Sequence, residues 1–499
     1  MQPSPRSTKA TTLLAAALIL AALLVRLYDL TDAPLEVHPT RQMRAALIAR
    51  AFYYPTNHEI PAEQVEFALK LREQAGVIEP SILEFLTAQL YRLNGAEEPW
   101  LGRLISIAFW LAGGWAIYDL TRRIGSKPGG LLALAYYLFL PFGLRFSRAL
   151  LPDPIMVAGS VASLWALYRW QHTRKFSWAA AAGAITGFTI LVKSVAGIIL
   201  ILPFAVYILS TLRLKGAIKN QQVWLILLLA ALPSAAYYFW GLVLDGRLAT
   251  QFSGRFFPEL WADLLLYKSW GKRILLEFGL PAFILAMLGI VLAKDKAVRR
   301  MLLAWWAGYF LYGMTFAYHI MTHDYYHLPM VPLTAVSLGI ALSALVRYTG
   351  QKGWEKPALI VLALVGIAYI ASSSVSSIQF FSQTDYRQTR QAWIELGETL
   401  GQLPDGRVIA LTEDYETSLK FYTFQNAGHW PHLGDLNYYE LQGSSQHGLE
   451  ERWGEIEGAG YFLVSDRKEL TRQPALADKL AGFPLILENE FFTLYDLIP

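Results

Sequence analysis

Long apolar segments recur along the first three quarters of the 499-residue chain, and they constrain its fold more than any other feature. Each is long enough to cross a hydrocarbon core about 30 Å thick as an α-helix. Charged residues make up 16% of the chain, against about 25% in soluble domains. The sequence therefore predicts a polytopic α-helical membrane protein with about 11–13 spans. The predicted spans cover residues 11–28, 100–121, 129–146, 153–170, 177–193, 195–212, 223–243, 274–293, 301–320, 327–347 and 357–375.

The charge and cysteine content exclude several classes of function. The formal net charge is +4, and the basic residues lie in short loops between apolar segments. Such loops mark cytoplasmic faces more often than nucleic-acid-binding surfaces, so we expect no nucleic-acid partner. The absence of cysteine excludes disulfides, thiol catalysis and cysteine metal sites.

The basic loops predict the orientation of the chain in the membrane. Alternating crossings place Arg6, Lys9 and five basic loops on one side, which the positive-inside rule makes the cytoplasm. The extracytoplasmic side then carries residues 30–99 and everything after 376. We therefore expect a multi-pass protein of the plasma (inner) membrane, with a cytoplasmic N-terminus, a retained first span rather than a cleaved signal peptide, and an extracytoplasmic C-terminal domain. The five loops are residues 122–127, 174–175, 213–219, 294–300 and 347–356.

The composition changes at about residue 376. The apolar segments predict a transmembrane domain over residues 1–375. Its extracytoplasmic loop, residues 31–99, is predicted to carry amphipathic helices. For 80–94 we favour an interfacial helix, because a crossing would invert the basic-loop pattern downstream. Shorter apolar runs that alternate with helical segments predict a soluble α/β domain over 376–499. The other expected elements are helices 41–54 and 62–75 in the loop, strands 407–411, 461–465, 485–487 and 491–497, and helices 386–400, 414–424 and 474–481.

Polar side chains that are costly at a membrane gather at the predicted extracytoplasmic face. These residues are the candidates for binding and chemistry. They are Glu36, His38, Arg41 and Gln42 in the first loop, Arg148 and Asp153 in the second outer turn, Lys193 at the end of a span, and His323, Asp324 and Tyr326 in a later turn.

Two of these candidates also have a structural interpretation. Asp153 stands between Pro152 and Pro154 and could cap the N-terminus of a helix. The flanking arginines favour instead a carboxylate that acts in catalysis or positions substrate. Lys193 could extend toward the interface, or it could pair with an anion such as a lipid phosphate.

The remaining polar positions allow alternatives as well. Residues 323–327 could form an aromatic belt, and they lack a regular metal-ligand spacing, so we predict no metal ligand there. Arg41 and Arg44 lie one helical turn apart and could belong to a solvated helix face.

Seven short segments, taken together in their order and spacing, form a pattern that covers most of residues 1–375. They are 26–30, 41–50, 79–83, 100–104, 147–153, 191–194 and 326–332. Together they resemble the lipid-carrier-dependent glycosyltransferases of the C-type fold, which include protein O-mannosyltransferases and the bacterial transferase of aminoarabinose to lipid A. The Asp-Glu pair usual in the first loop of that superfamily is replaced here by Arg41-Gln42. One branch instead has an acidic residue, a histidine two positions later and Arg-Gln, which Glu36, His38 and Arg41-Gln42 match.

The resemblance implies an inverting hexosyl- or pentosyltransferase that takes its sugar from a polyprenyl phosphate at the extracytoplasmic face. A lipid, a glycan or a protein would supply the acceptor hydroxyl. We assign catalysis to Glu36, Asp153 and His38, with Glu36 the preferred base and Asp32 a further alternative. Some relatives bind a divalent metal ion near the carboxylates, which makes such an ion a potential cofactor. Substrate binding is assigned to Arg41, Gln42, Arg148, Lys193, His323, Asp324 and Tyr326, whose cations would stabilise the departing phosphate.

Two other functions compete with this interpretation. A transporter or flippase of lipid-linked saccharides would need polar residues near the bilayer midplane and paired broken helices. The charges gather instead at one face, and the sequence has no inverted repeat. A catalytically silent relative, whose C-terminal domain binds a partner, is the second alternative, because the usual Asp-Glu pair is missing.

Overall fold

The computed structural model describes residues 5–76, 79–246, 248, 255–443 and 448–498, with side chains from residue 9 onward. The side chain of Arg6 and residues 77–78 of the predicted loop lie outside the described residues. The α-helices are α1 Pro5–Leu27, α2 Pro39–Tyr53, α3 Ala62–Gln74, α4 Ile82–Asn94, α5 Trp100–Ile124, α6 Lys127–Phe139, α7 Pro141–Phe146, α8 Pro152–Thr173, α9 Phe176–Val192, α10 Val195–Lys219, α11 Gln221–Phe239, α12 Leu264–Phe278, α13 Leu280–Leu292, α14 Lys296–Thr315, α15 Ala317–Thr322, α16 Met330–Gln351, α17 Glu355–Phe381, α18 Tyr386–Gln402, α19 Thr417–Thr423, α20 Leu433–Leu441, α21 Leu449–Glu455, α22 Arg467–Arg472 and α23 Pro474–Leu480.

Every predicted span coincides with a helix or a pair of helices, and the protein is a polytopic α-helical membrane protein. Within the described residues, 6 helical stretches are both long and apolar enough to cross a membrane, or up to 7 if a bent pair counts as one span. The other predicted spans are helices that are shorter or more polar. The 6 stretches are Lys9–Leu27, Trp100–Ile124, Val195–Lys219, Gln221–Leu244, Asp324–Gln351 and Glu355–Gln402.

Three predicted spans are wrong as continuous helices. The span 301–320 is interrupted at Phe316 (φ −112°, ψ 50°), between α14 and α15. The span 129–146 is interrupted at Leu140 (φ −56°, ψ 121°), because a residue that precedes a proline is disfavoured in the α region. The span 274–293 corresponds to α12 and α13, which meet at 96° across Gly279 (φ 78°), a conformation that suits glycine. The helix predicted over 80–94 is found as Ile82–Asn94, and its 13 residues are too few for a span.

The described chain divides into two compact units that do not follow chain order. The first, which we call the transmembrane unit, comprises Met1–Leu30, Val77–Ile82 and Arg103–Ser382. The second, which we call the loop–sheet unit, comprises Thr31–Gly76, Leu83–Gly102 and Gln383–Pro499. The predicted loop and the predicted C-terminal domain therefore share one compact unit.

Helices of the transmembrane unit approach one another closely where glycines face a neighbour. A Cβ atom on Gly308 of α14 would lie 2.4 Å from the carbonyl oxygen of Ile199 in α10. A Cβ atom on Gly289 of α13 would lie 1.9 Å from the carbonyl oxygen of Ser337 in α16. Small residues at helix interfaces allow such backbone contact in membranes, where packing replaces the hydrophobic driving force.

The C-terminal segment forms one mixed sheet in the order β2-β1-β3-β5-β4. β1 pairs in parallel with β2 and β3, and β5 pairs antiparallel with β3 and β4. Alternate residues of β1 face two buried clusters, which explains why the strand is apolar throughout. The strands are β1 Val408–Leu411, β2 Gly428–His429, β3 Tyr461–Val464, β4 Leu485–Glu488 and β5 Thr493–Asp496.

Four predicted strands and three predicted helices of this segment are present within a few residues of their expected bounds. β2, which has 2 residues, and the short helices α20, α21 and α22 were not predicted. Elements this short carry too few residues to display a hydrophobic period.

Candidate active site

Asp153 and Lys193 form a buried ion pair in the transmembrane unit. Lys193 Nζ donates to Asp153 Oδ1 at 2.8 Å, and the two side chains are 7% and 2% exposed. Asp153 Oδ2 is buried and has no hydrogen-bond partner among the described residues. Burying a charge is costly unless it is paired, so this arrangement is typical of a functional site or a specific packing constraint.

Breaks between helices place both charges. Leu151 occupies the N-cap position of α8, Pro152 follows it, and Asp153 lies in the first turn. The interpretation of Asp153 as the helix cap is therefore wrong. Lys193 ends α9 in an extended conformation (φ −155°, ψ 110°) before α10 begins at Val195. Its ammonium contacts Asp153, which supports the alternative in which Lys193 pairs with an anion.

Two tyrosines flank the Lys193 ammonium. Its Nζ lies 5.3 Å from the ring centroid of Tyr325 and 5.8 Å from that of Tyr326, which is within range of a cation–π interaction. Tyr326 stacks on His319 and lies 6.0 Å from the ring of His323. The structure therefore brings Asp153, Lys193 and Tyr326 together, with His323 at the edge of the same aromatic cluster.

Asp324 opens a short 3-10 helix, Asp324–His327, that presents these aromatic side chains. His327, at its end, is fully buried and bonded through both ring nitrogens. Its Nε2 donates to the Ile320 carbonyl at 2.9 Å, and its Nδ1 lies 2.8 Å from the hydroxyl of Tyr309. These bonds hold the turn in place.

Arg148 contacts backbone rather than the carboxylate of Asp153. Its Nη1 donates to the carbonyl of Tyr28 at 2.6 Å, its Nη2 donates to that of Asp29 at 2.9 Å, and Phe381 covers the guanidinium at 4.1 Å. Carbonyl groups at the end of a helix lack intrahelical donors. Arg148 donates to two carbonyls that directly follow α1. A role of Arg148 in substrate binding stays a prediction.

Two further buried arginines, Arg26 and Arg103, fix the same end of α1; both lie in segments that carry the family resemblance, but their burial was not predicted. Arg26 Nε donates to Ser147 Oγ at 2.7 Å, and its other nitrogens donate to the carbonyls of Ala22 and Leu138. Arg103 Nη1 donates to the carbonyl of Leu30 at 2.9 Å. An arginine at the end of an apolar helix predicts an interfacial anchor, and only the fold reveals that it is buried.

The first-loop candidates belong to the loop–sheet unit. His38 precedes α2 in the left-handed region (φ 43°, ψ 62°), and Pro39 begins the helix. Gln42 is fully buried, and its Nε2 donates to the Val37 carbonyl at 2.6 Å. Gln42 therefore stabilises the turn that carries Glu36 and His38. Asp32 accepts from the backbone N–H groups of Ala33 and Tyr386, which favours a structural role over that of base.

Arg41 and Arg44 differ in surroundings. Arg41 is half-buried at the start of α2. The guanidinium of Arg44 donates to the carbonyls of Ala75 and Gly76 at 2.9 and 2.8 Å, which ties α2 to the end of α3. The candidates thus fall into two sets on two compact units, and their convergence at one membrane face stays a prediction.

The donor set around Asp153 does not fit a divalent metal ion. Lys193 already neutralises Asp153 Oδ1. Among the described residues, the only group of three His, Asp or Glu side chains close enough to share an ion is His429, His432 and Asp435, in the C-terminal segment.

An apolar cavity of about 680 Å³ lies between α5, α8 and α9 in the transmembrane unit. All of its lining residues are Gly, Ala, Ile, Phe or Trp. Ala158 lies five residues after Asp153 on α8, and Phe188 lies five residues before Lys193 on α9. At 1.5 Å per helical residue, the cavity begins about 8 Å along each helix from the ion pair.

Comparison with known proteins relates this fold to one enzyme class. Residues 79–240 match the family of dolichyl-phosphate-mannose-protein mannosyltransferases, and this range contains Arg148, Asp153 and Lys193. Among curated proteins, none matches the chain.

Several solved structures are similar over nearly the whole chain. ArnT from Cupriavidus metallidurans bound to undecaprenyl phosphate has 12% identity and a TM-score of 0.62, with 98% of both chains covered. The oligosaccharyltransferase AglB from Archaeoglobus fulgidus, in complex with an inhibitory peptide and a dolichol-phosphate, has 13% identity and a TM-score of 0.59, with 95% of this chain and 71% of that chain covered.

The Archaeoglobus fulgidus oligosaccharyltransferase in complex with Zn and sulfate has 14% identity and a TM-score of 0.56, with 93% of this chain and 69% of that chain covered. The solved structures share the fold of this chain, and the family model relates residues 79–240 to dolichyl-phosphate-mannose-protein mannosyltransferases. They confirm that this integral membrane protein has the C-type glycosyltransferase fold and resembles the lipid-carrier-dependent glycosyltransferases.

Proposed function

We propose that this protein transfers a hexose or pentose from a polyprenyl-phosphate donor to an acceptor hydroxyl at the extracytoplasmic face, with inversion at the anomeric carbon. The buried pair of Asp153 and Lys193 carries the proposal, because it offers a negative and a positive group at one place in the transmembrane unit. The match of residues 79–240 to a family of lipid-phosphate-dependent transferases supports it.

The reaction needs a base on one side of the anomeric carbon and a cation on the other. A carboxylate takes the proton of the acceptor hydroxyl, and the oxygen attacks the anomeric carbon. The bond from that carbon to the phosphate oxygen breaks, and its electron pair leaves with the polyprenyl phosphate. General-base assistance contributes about 10²–10⁴-fold, and charge stabilisation at the phosphate contributes a comparable factor.

Lys193 is our candidate for the group that binds the phosphate. Its ammonium has one carboxylate partner and two aromatic neighbours, Tyr325 and Tyr326, so a phosphate oxygen can become a further acceptor. Asp153 keeps the ammonium oriented, and its second oxygen can accept from a sugar or acceptor hydroxyl. The polyprenyl chain fits the apolar cavity that begins about 8 Å from the pair along α8 and α9.

Glu36 remains our preferred base, with His38 beside it in sequence. Gln42 and Pro39 fix the turn that carries both residues, which is the support a catalytic group needs. We keep Arg41, His323 and Asp324 as substrate-binding candidates. Arg148 and Gln42 act through the backbone segments that they hold.

Lipids that co-purify with the full chain identify the donor by native mass spectrometry, and we expect a polyprenyl-phosphate sugar. Transfer from that donor is then measured with Asp153→Asn and Glu36→Gln, each expected to lose about 10²–10⁴-fold in rate. Asp263→Asn, a change in an exposed helix cap, is the matched control and should keep full activity. Full activity in both site variants would refute the site assignment.

The same experiment separates the alternatives. A catalytically silent relative would bind the lipid without transfer by the unaltered protein. A flippase would move the lipid-linked sugar across vesicles without consuming it. Among the described residues, one sharply bent helix pair, α12 and α13, is long and apolar enough to cross a membrane as a unit, whereas a transporter built on inverted repeats needs a corresponding second pair.

A further inference from the structure

A cluster of ionisable side chains lies at the carboxyl ends of the three parallel strands in the loop–sheet unit. Glu416 follows β1, His429 ends β2, His432 and Asp435 follow it, and Asp466 follows β3. Because β1 lies between β2 and β3, the chain segments that leave these strands meet at one sheet edge. The carboxyl edge is where parallel α/β sheets bind ligands.

Three side chains of this cluster, His429, His432 and Asp435, bring atoms that can ligate a metal ion close together. Asp435 Oδ2 lies 3.3 Å from His429 Nε2 and 3.3 Å from His432 Nδ1. The three ligand atoms all lie within 4.8 Å of one another. In a tetrahedral zinc site with bonds of about 2.0–2.2 Å, neighbouring ligand atoms are about 3.3–3.5 Å apart. The two separations from Asp435 therefore match the edges of a zinc coordination sphere.

The outer nitrogens of both histidines face carboxylates. Glu416 Oε1 lies 2.8 Å from His429 Nδ1, and Asp466 Oδ2 lies 3.6 Å from His432 Nε2. Metal-bound histidines almost always donate their second ring N–H to a carboxylate or a carbonyl, which fixes the tautomer and orients the ring. Here His429 has such a hydrogen-bond partner in Glu416, and Asp466 lies within ion-pair distance of His432.

The rest of the surroundings hold the carboxylates in position. The hydroxyl of Tyr415 donates to Asp435 Oδ1, and Lys420 Nζ lies 3.7 Å from Glu416 Oε2. The backbone N–H of His432 donates to Asp435 Oδ2 at 2.9 Å. The side chains of His429, His432 and Asp435 are 23%, 15% and 15% exposed, so an ion can reach them from solvent.

We propose that His429, His432 and Asp435 bind a zinc ion in the C-terminal α/β segment, with Glu416 and Asp466 as the carboxylates that orient the histidines. Two imidazoles and one carboxylate are a common zinc donor set, and they leave the fourth position for water or an added ligand. All three ligands lie at or just after β2, and Glu416 and Asp466 connect them to the segments that follow β1 and β3. This site is independent of Asp153 and of the proposed sugar transfer, so either proposal can fail alone.

The test uses the full chain, purified in detergent without a polyhistidine tag. Protein stripped with EDTA is equilibrated with ZnCl₂, passed through a desalting column and analysed for zinc by mass spectrometry. We expect about one zinc per chain in the unaltered protein and a loss in His432→Ala and Asp435→Asn. His58→Ala, an exposed histidine of the same compact unit, is the matched control and should keep its zinc.

A second variant guards against loss of zinc through misfolding. Glu416→Gln keeps all three ligands and removes one orienting carboxylate, so zinc should still bind, with an affinity lowered about 10–100-fold. Competition with a chromophoric chelator measures this change, and Co²⁺ in place of Zn²⁺ should give visible absorption that His432→Ala abolishes. If the stripped protein takes up no zinc, or if Asp435→Asn and His432→Ala retain it, the cluster is a set of ion pairs and the proposal is wrong.

Discussion

The ammonium of Lys193 lies 2.8 Å from the carboxylate of Asp153, a residue 40 positions earlier in the chain. Both side chains are buried, and each stands at a helix break. The opposite charges of Lys193 and Asp153 balance each other. They also provide the cation and the anion that the proposed reaction needs.

The two charges should depend on each other. Lys193→Met leaves a buried carboxylate without its partner and should lower the free energy of unfolding by about 3–5 kcal/mol. The double variant Asp153→Asn, Lys193→Met should cost less than the sum of the single variants, because neither charge remains. Unfolding of the purified protein in detergent measures these differences. Strictly additive costs would contradict the coupling.

Substitutions of His38 should distinguish a conformational role of this residue from a role in catalysis. At φ 43° any residue with a Cβ atom, His38 included, is strained by about 1–2 kcal/mol, whereas asparagine tolerates the left-handed region better. We therefore expect His38→Asn to be at least as stable as His38→Ala, while both lower the transfer rate about 10²-fold or more. A His38→Asn protein with full activity would limit the role of His38 to the turn.

Arg148 should contribute to stability through both of its backbone contacts. A lysine cannot reach the carbonyls of Tyr28 and Asp29 together, so Arg148→Lys should cost about 1–3 kcal/mol. Thermal unfolding measures the loss, and Arg123→Lys, at a partly exposed ion pair, is the comparison. If Arg148 acted only on substrate, the variant would raise KM for the donor and leave unfolding unchanged.

Arg50 and Glu97 should hold the loop helices to the C-terminal segment within the loop–sheet unit. Arg50 Nε lies 2.8 Å from Glu97 Oε1, and its Nη1 donates to the Phe421 carbonyl at 2.7 Å. Burial raises the pKa of the Tyr54 phenol, Arg50 lowers it by a smaller amount, and Glu97 raises it further. The phenol therefore stays protonated and donates to Glu97.

Glu97→Gln therefore breaks a buried ion pair, with an expected cost of up to about 3–5 kcal/mol. Hydrogen exchange at residues 417–423 should accelerate, since α19 loses part of its anchor. The exposed pair of Lys479 and Glu450 provides the control, because Glu450→Gln should change stability by less than about 1 kcal/mol. Equal effects of the two variants would show that the Arg50 contact is not an anchor.

Local sequence patterns predicted much of this architecture. Apolar runs located the helices of the transmembrane unit, and short apolar runs located four of the five strands. Breaks within helices were harder to predict: Pro141 and Gly279 interrupt runs whose hydropathy is continuous. Hydropathy reports where a segment is apolar, whereas a helix ends where a backbone conformation changes.

Sequence alone selected Asp153 and Lys193 as costly charges, and it marked the Glu36–Gln42 run as a polar loop with a family resemblance. Only the tertiary structure decided that Asp153 and Lys193 pair, that Arg148 and Gln42 donate to backbone carbonyls, and that His429, His432 and Asp435 converge at a sheet edge. Residue periodicity encodes the length and buried face of an element. Contacts between residues up to 371 positions apart depend on how those elements pack, which no local pattern records.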